Sequence, residues 1–413
     1  MPKTANAPTG VKITSYQVGF GDCFLLSFQY PDGDRHVLMD FGTKKSSSTG
    51  FTADMVGNAN QIAKDCGGKL TMVVATHRHY DHISGFQTGN GKASGDIIRG
   101  LKPDLVLQPW TESPKIATDA QAPADGDADL MHVQDLANMQ ALAEAAAFTP
   151  HKLMAAAKSV PGELHYVGGN NITNKSAVEN LMTMGRLAPK YLQLGSALDV
   201  SSLLPGVTIH VLGPPTIKQA QAAGQNLMRY AASSNEYWKL HAGVASGTLQ
   251  PAGKSGLRGR ARALPPQARW VAQRLRDAHN EGLLDIVRTL DKTINNTSLI
   301  LLMDVGDKKL LFPGDAQLEN WTCALKDPKI AALLADVDVY KVGHHGSRNA
   351  TPVSLWKGFT ATRNKSLQTM VSTRAGEYSG VPRPSLADAL KTQSKLTSTA
   401  DFPKGQRSAT ITV

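Results

Sequence analysis

Three histidines and one aspartate occur within six residues near position 80. They form the pattern His77-x-His79-x-Asp81-His82, directly after the apolar run 70–75. Imidazole and carboxylate groups are usual protein ligands of zinc and manganese. Two histidines two residues apart at the end of a strand can turn toward one ion, while Asp81 and His82 can reach a second. The spacing therefore predicts metal binding rather than a polar loop with solvated histidines.

Two later segments offer the other groups that a pair of metal ions would need. Asp315 follows the apolar run 310–312 and a Pro-Gly turn, where its carboxylate could bridge two ions. Aspartate after glycine is common in turns, so this assignment depends on the rest of the site. His344 and His345 follow the strand-like run 337–342. We predict that His344 is a metal ligand and that His345 donates a proton to a leaving group.

Two metal ions held in this way would supply the chemistry of a hydrolase. They lower the pKa of a shared water and stabilise the negative charge that develops during its attack. Asp81 or Asp315 is predicted to orient the attacking hydroxide, and both are candidate catalytic residues. Lys341 and Ser347 are candidate phosphate contacts, although a solvated lysine and a loop cap would explain these two residues equally well.

The elements that must position these residues are short strands and helices in alternation. A helix is predicted around residues 53–66. Strands are predicted at residues 11–18, 23–28, 36–40, 70–75, 105–107, 207–212, 298–304, 309–312, 337–342 and 369–372. Alternation of this kind is typical of an α/β protein in which helices are layered over sheets.

Two segments break the alternation and are predicted to be insertions. Residues 111–195 are rich in Ala, Met, Asp and Asn and are predicted to be helical. Residues 216–293 are predicted to combine helices with a basic loop. Between residues 254 and 276 the chain has seven basic residues and no acidic one.

The basic loop of the second insertion is a candidate contact for nucleic acid. Arg258, Arg260 and Arg262 lie among glycines and prolines, where they could contact a phosphate backbone by charge. Trp270 could stack on a base. An exposed loop whose charge only aids solubility is the alternative.

The order of these motifs resembles the metallo-β-lactamase superfamily, and more narrowly the soluble hydrolase domain of the DNA-internalisation competence protein ComEC. Besides the histidine cluster, the matching segments are Val18-Gly19-Phe20-Gly21-Asp22, Leu38-Met39-Asp40-Phe41-Gly42, Asn295-Asn296-x-Ser298-Leu299, Gly314-Asp315, Lys341-Val342-x-His344-His345-Gly346-Ser347, and Val371-Ser372 with Tyr378 and Pro382. The resemblance implies one domain over residues 1–413, a four-layer αββα metallo-β-lactamase sandwich that carries the two insertions.

The resemblance also implies two unequal metal sites. Many members of the superfamily have a third histidine for the first metal, where this chain has Gly213-Pro214-Pro215 and Asn295-Asn296. The implied ligands are His77, His79 and Asp315 at the first site, which His165 could complete, and Asp81, His82, Asp315 and His344 at the second. We therefore expect zinc at two sites, the first weakly occupied, with manganese as the alternative metal. The closing Pro382-Arg383-Pro384 also lacks the His-Pro common in the competence-type branch.

The substrate is not determined by this chemistry, because the superfamily hydrolyses phosphodiesters, thioesters, lactones and β-lactams. The basic insertion and the competence-type resemblance favour a phosphodiesterase, or nuclease, that acts on DNA or RNA. One alternative is a hydrolase of small phosphate esters, cyclic nucleotides or lactones. A second alternative is a non-catalytic module that uses the same fold to bind a partner protein.

Composition limits the class of protein. The 413 residues are 41% hydrophobic and 19% charged, with a formal net charge of +10 that favours polyanionic partners such as nucleic acid. The chain has no apolar run of membrane-spanning length and no signal-like start. Its three cysteines are odd in number and widely spaced, which argues against a disulfide framework. These features predict a cytoplasmic protein without a membrane segment.

Overall fold

Two mixed β-sheets form the centre of the computed structural model, which describes residues 7–44, 49–113, 174–225 and 294–413. These residues all fall within one compact unit. The strands of the first sheet are β1 (Gly10–Tyr16), β2 (Cys23–Gln29), β3 (Arg35–Phe41), β4 (Met72–Val74), β5 (Leu105–Pro109), β6 (Lys190–Leu192) and β13 (Ser408–Thr412). Their order is β13-β1-β2-β3-β4-β5-β6. Strands β13 to β3 pair antiparallel, whereas β3 to β6 pair parallel.

The second sheet has six strands and repeats this mixture of directions. They are β7 (Val207–Gly213), β8 (Ile300–Val305), β9 (Lys308–Phe312), β10 (Val339–Lys341), β11 (Gln368–Val371) and β12 (Lys395–Ser398). Their order is β12-β11-β10-β9-β8-β7. Strands β7 to β9 pair antiparallel and β9 to β12 pair parallel. Parallel neighbours end at the same sheet edge, which brings the loops after β3 and β4, and those after β9 and β10, together in pairs.

Nine described helices complete the fold. They are α1 (Met55–Asp65), α2 (Tyr80–Ile83), α3 (Ser94–Gly100), α4 (Lys175–Thr183), α5 (Ile217–Ala222), α6 (Leu318–Leu325), α7 (Pro328–Leu334), α8 (Val353–Gly358) and α9 (Pro384–Gln393). Asp54 begins α1 by accepting a hydrogen bond from the Gly57 amide, and Asn174 begins α4 in the same way. Such caps satisfy amides that have no partner inside the helix.

Side chains that alternate along the strands build three apolar layers. In β2, Phe24 and Leu26 face the second sheet, whereas Leu25 faces the helices. The rings of Phe24 and Phe312 meet edge to face, 6.0 Å apart, and so join the two sheets. Helices α1, α3 and α4 cover the outer face of the first sheet, and α6 to α9 cover that of the second. The predicted α/β layering of helices over sheets is therefore confirmed.

The predicted insertions extend into residues that belong to the sheets and their helices. Of residues 111–195, the stretch 174–195 supplies α4 and the edge strand β6. Of residues 216–293, the stretch 216–225 supplies α5, whose Ala220 packs against Cys323 of α6. Residues 114–173 and 226–293 lie outside the described residues, so the insertions themselves remain a prediction. Among the described helices, none is long and apolar enough to span a bilayer.

Candidate metal centre

Asp40 joins the ends of β3 and β4. It is the second-last residue of β3 and adopts a φ of 53°. Its Oδ1 accepts a hydrogen bond from the Thr76 amide at 2.7 Å, and its Oδ2 accepts one from the Thr76 hydroxyl at 2.7 Å. These bonds fix the start of the loop that carries the histidine cluster.

The histidine cluster lies in this loop and in the short helix α2. His77 Nε2 lies 3.0 Å from His79 Nδ1, and the rings of His77 and His82 are 4.2 Å apart. His82 Nδ1 lies 2.8 Å from Asp40 Oδ2. When that nitrogen donates to the carboxylate, Nε2 is left facing Asp315 Oδ2 at 3.1 Å. A carboxylate behind a histidine is a common way to orient a metal ligand.

Asp315 enters the same cluster from the second sheet. It follows β9, and its amide donates to Ser298 Oγ at 3.2 Å. Its Oδ1 accepts a hydrogen bond from the His344 amide at 3.0 Å. Asp315 thus contacts both histidine segments, while its role as a bridge between two metal ions stays a prediction.

His344 and His345 lie in different surroundings, and it is His345 that lies beside the other predicted ligands. His345 is buried, its Nδ1 donates to the Ser372 carbonyl at 2.9 Å, and its Nε2 lies 3.3 Å from Asp81 Oδ2. His344 lies at the rim with a side chain 23% exposed, and its Nε2 is 4.0 Å from Asp315 Oδ2. Both residues have positive φ, 45° and 54°, which turns their side chains in different directions. The structure therefore places His345, and not His344, with Asp81 and His82.

Three groups of ligand atoms lie within 4.8 Å of one another among the described residues. They are His77 with His82 and Asp315, Asp81 with His82 and His345, and Asp22 with Asp40 and His82. The carboxylates of the third group already have partners, because Lys341 contacts Asp22 and Thr76 donates to Asp40. The first two groups are the better candidates. His79 lies beside His77 and could join the first.

The charge of the centre fits a divalent cation. The carboxylates of Asp22, Asp40, Asp81 and Asp315 are all buried there, and the buried ammonium of Lys341 contacts Asp22 and lies 3.7 Å from Asp315. Asp81 Oδ1 is buried and has no hydrogen-bond partner among the described residues. Burying several carboxylates close together is costly, and a bound cation would lower that cost.

Several histidines and carboxylates in the cluster have pKa values that are shifted by burial and by one another. Burial, with His82 and His79 nearby, holds the pKa of His77 well below its usual value. Burial alone would also lower the pKa of His82, but the carboxylates of Asp315, Asp40 and Asp22 together raise it well above normal. Burial would raise the pKa of Asp315, yet the nearby histidines hold it well below normal. The raised pKa of His82 favours its protonated form. The positive charge of that form offsets part of the negative charge of the carboxylates, as a metal ion would.

Lys341, which was predicted as a candidate phosphate contact, is buried among carboxylates. Its side chain is 2% exposed, and its Nζ contacts the Asp22 carboxylate, the Gly314 carbonyl at 3.2 Å, and Asp315 Oδ1 at 3.7 Å. Burial alone would lower the pKa of the ammonium, but the Asp22 and Asp315 carboxylates raise it. Lys341 is therefore an internal cation that a substrate does not reach in this structure.

Of the other predicted substrate contacts, only Ser347 falls within the described residues, and it lies at the rim of the cluster. Ser347 is half-buried and lies 2.7 Å from His344 Nδ1 through its Oγ, so it can orient that ring. Arg258, Arg260, Arg262 and Trp270 lie outside the described residues, as does His165, and their roles remain predictions. Asp22 and Asp40 were overlooked as site residues, although the motifs Val18–Asp22 and Leu38–Gly42 both end near them.

Gly42 is where the loop after β3 touches the backbone of the metal centre. A Cβ atom at this position would overlap the backbone of Asp81 and His82. Gly42→Ala is therefore expected to displace these ligands and weaken metal binding about 10- to 100-fold. Competition against a chromophoric chelator measures the change.

Gly100 provides a matched control for this substitution. It ends α3, and a Cβ there would meet no atom within 4 Å. Gly100→Ala should leave metal affinity as it is in the parent protein. Folded Gly42→Ala protein with parental metal affinity would contradict the placement of Asp81 and His82 against this loop.

Comparison with known proteins yields one short similarity. No protein-family model matches the chain. Over 80 residues it is 34% identical to Recombination protein 2 of Haemophilus influenzae. The match covers 18% of this chain and 9% of that protein, so the chain spans only a small part of its relative's length.

Proposed function

We propose that the chain is a metal-dependent hydrolase of the metallo-β-lactamase superfamily that cleaves phosphodiester bonds in DNA or RNA. The observation that carries the proposal is the convergence of histidine and aspartate side chains from loops of both sheets. His77, His82 and Asp315 form one set of ligand atoms, and Asp81, His82 and His345 form the other. Two packed sheets with helices on both outer faces support the assignment to this superfamily.

Zn2+ is the metal we propose first, with Mn2+ as the alternative, because the ligands are imidazoles and carboxylates. A bound divalent ion would polarise a phosphoryl oxygen and lower the pKa of water beside it. Asp81 Oδ1, which has no hydrogen-bond partner among the described residues, can accept a proton from the attacking water. Asp40 and the Ser372 carbonyl hold the rings of His82 and His345 in place.

His344 takes the role of proton donor in this proposal. Its ring lies at the rim, partly open to solvent, with Nδ1 beside Ser347 Oγ and Nε2 toward Asp315. From there it can protonate a leaving oxygen as the phosphorus–oxygen bond breaks. His345 is buried against Asp81 and is better placed as a ligand.

Nucleic acid is the substrate class that the remaining observations favour. The chain carries a formal net charge of +10. The similar segment of Recombination protein 2 belongs to a protein named for recombination, which is a process of nucleic acid. A small-molecule hydrolase and a non-catalytic binding module are the alternatives that the experiment must separate.

Turnover of bis-p-nitrophenyl phosphate tests for hydrolysis. We expect activity with Zn2+ or Mn2+ supplied and complete loss after chelation, because the metal ion would polarise the phosphoryl oxygen and lower the pKa of the attacking water. Single-stranded and duplex DNA and RNA, run in parallel, test the substrate class. Activity on nucleic acid should fall steeply with added salt. Turnover of the small ester alone would favour the small-molecule alternative, and turnover of neither would support the binding module.

A further inference from the structure

A cavity of about 560 Å³ lies beside the metal centre. Phe20 contacts both, because it lines the cavity while its ring packs 4.2 Å from the ring of His345. Tyr80 also lines the cavity and immediately precedes Asp81 in the chain. A molecule bound at the metal centre could therefore extend a neighbouring group into this space.

Aromatic and aliphatic side chains share the walls of the cavity with hydroxyl, amide and charged groups. Phe20, Phe51 and Tyr80 supply rings, and Val56 supplies an aliphatic side chain that is 43% exposed. The Arg374 guanidinium packs 4.0 Å from the centre of the Phe51 ring and holds that ring in position. Rings beside exposed aliphatic surface suit a flat ligand that can stack.

The charges in the cavity are already paired. Among the described residues that line it, the only charged ones are Lys44 and Glu377, and they form an ion pair of 2.6 Å. Glu377 also accepts hydrogen bonds from the amide and hydroxyl of Thr49. A phosphate or carboxylate would have to compete with Glu377 for the Lys44 ammonium. A neutral group with hydrogen-bonding edges would not.

We propose that this cavity is a subsite for one nucleobase of the strand being cleaved, next to the scissile phosphate at the metal centre. The proposal rests on the proposed nuclease function and narrows its substrate. A base inside the cavity has left its partner strand and its neighbours, so the strand must be single-stranded or opened at that position. The side-chain amide of Gln87 lies in the wall, where its Oε1 accepts a hydrogen bond from Asn174 and its Nε2 can contact the edge of the base.

Phe51→Leu tests the subsite, because it keeps an apolar side chain and removes the stacking face. We compare kcat/KM for a single-stranded oligonucleotide with that for bis-p-nitrophenyl phosphate, which has no base. The ratio of the two should fall about 5- to 100-fold in the variant, as expected for loss of one stacked base. Leu187→Ser is the matched control. Leu187 is 52% exposed and precedes β6, at the end of the first sheet opposite the metal centre, so its substitution should leave the ratio unchanged.

An altered substrate gives a test that does not depend on how the variant folds. Oligonucleotides with one abasic residue, placed in turn at each position around the cleaved bond, are offered to the parent enzyme. One position should show a loss of the same size as Phe51→Leu, and the two losses should not add. Equal cleavage of all the abasic oligonucleotides, or an unchanged ratio in folded Phe51→Leu, would overturn the subsite and leave the nuclease function intact. A parent protein inactive on every nucleic acid would instead refute the proposed function.

Discussion

Asp315→Asn is expected to lower kcat for bis-p-nitrophenyl phosphate by about two to three orders of magnitude. The substitution keeps the shape of the side chain and removes its charge. Asp315 faces His82 Nε2 at 3.1 Å and His345 Nε2 at 3.7 Å, and it belongs to one of the two ligand groups. The kcat from steady-state kinetics and the metal content of the purified protein should fall together.

Asp304→Asn is the control for a lost carboxylate in the same sheet. Asp304 lies on β8 and pairs with His210 at 2.9 Å, with both side chains partly exposed. Its substitution should leave kcat and metal content close to those of the parent. Full activity and full metal content in Asp315→Asn would exclude Asp315 as a ligand.

Lys341→Met is expected to destabilise the metal-free protein by about 3–5 kcal/mol, because it leaves buried carboxylates without their cation. The methionine side chain has a similar length and no charge. Lys341 Nζ contacts Asp22, and Asp315 lies 3.7 Å away, both in the buried interior. Urea unfolding in the presence of a chelator measures the free energy of unfolding without a contribution from metal.

Lys309→Met removes a lysine from the neighbouring strand β9 and serves as the control. Lys309 pairs with Asp336 at 2.6 Å, but its partner is more than half exposed. An exposed pair contributes less than about 1 kcal/mol. Combining Lys341→Met with Asp22→Asn should recover part of the lost stability, because one uncompensated charge then disappears. Equal small losses in the two lysine variants would contradict an internal role for Lys341.

Much of the sheet architecture could be predicted from the chain. Strands β1 to β5 and β7 to β11 coincide with apolar runs bounded by turn signals, since each is buried on at least one face. Strands β6, β12 and β13 were missed because they lie at or beside sheet edges. They are only partly buried, so their sequences carry little apolar signal.

The residue types of the candidate metal centre could be predicted from the sequence, whereas the directions of their side chains could not. His77, His79, Asp81, His82 and Asp315 occupy one region as their spacing indicated. His345, and not His344, lies beside Asp81 and His82, and both histidines have positive φ angles. Apart from the glycine, the sequence His-His-Gly gives no sign of these angles. Lys341 was predicted to be a phosphate contact or a solvated lysine, because its burial depends on Asp22, a residue more than 300 positions earlier in the chain.

The origin of the ligands in both sheets has a thermodynamic consequence. His77 and His82 come from the first sheet and Asp315 and His345 from the second, so the two groups that combine them exist only when the sheets have packed. A metal ion that binds only this packed state shifts the folding equilibrium by mass action, by about 2.7 kcal/mol when its free concentration is 100 times its Kd. The unfolding midpoint should therefore rise with the concentration of free metal. The protein's resistance to unfolding would then vary with the metal supply of its surroundings.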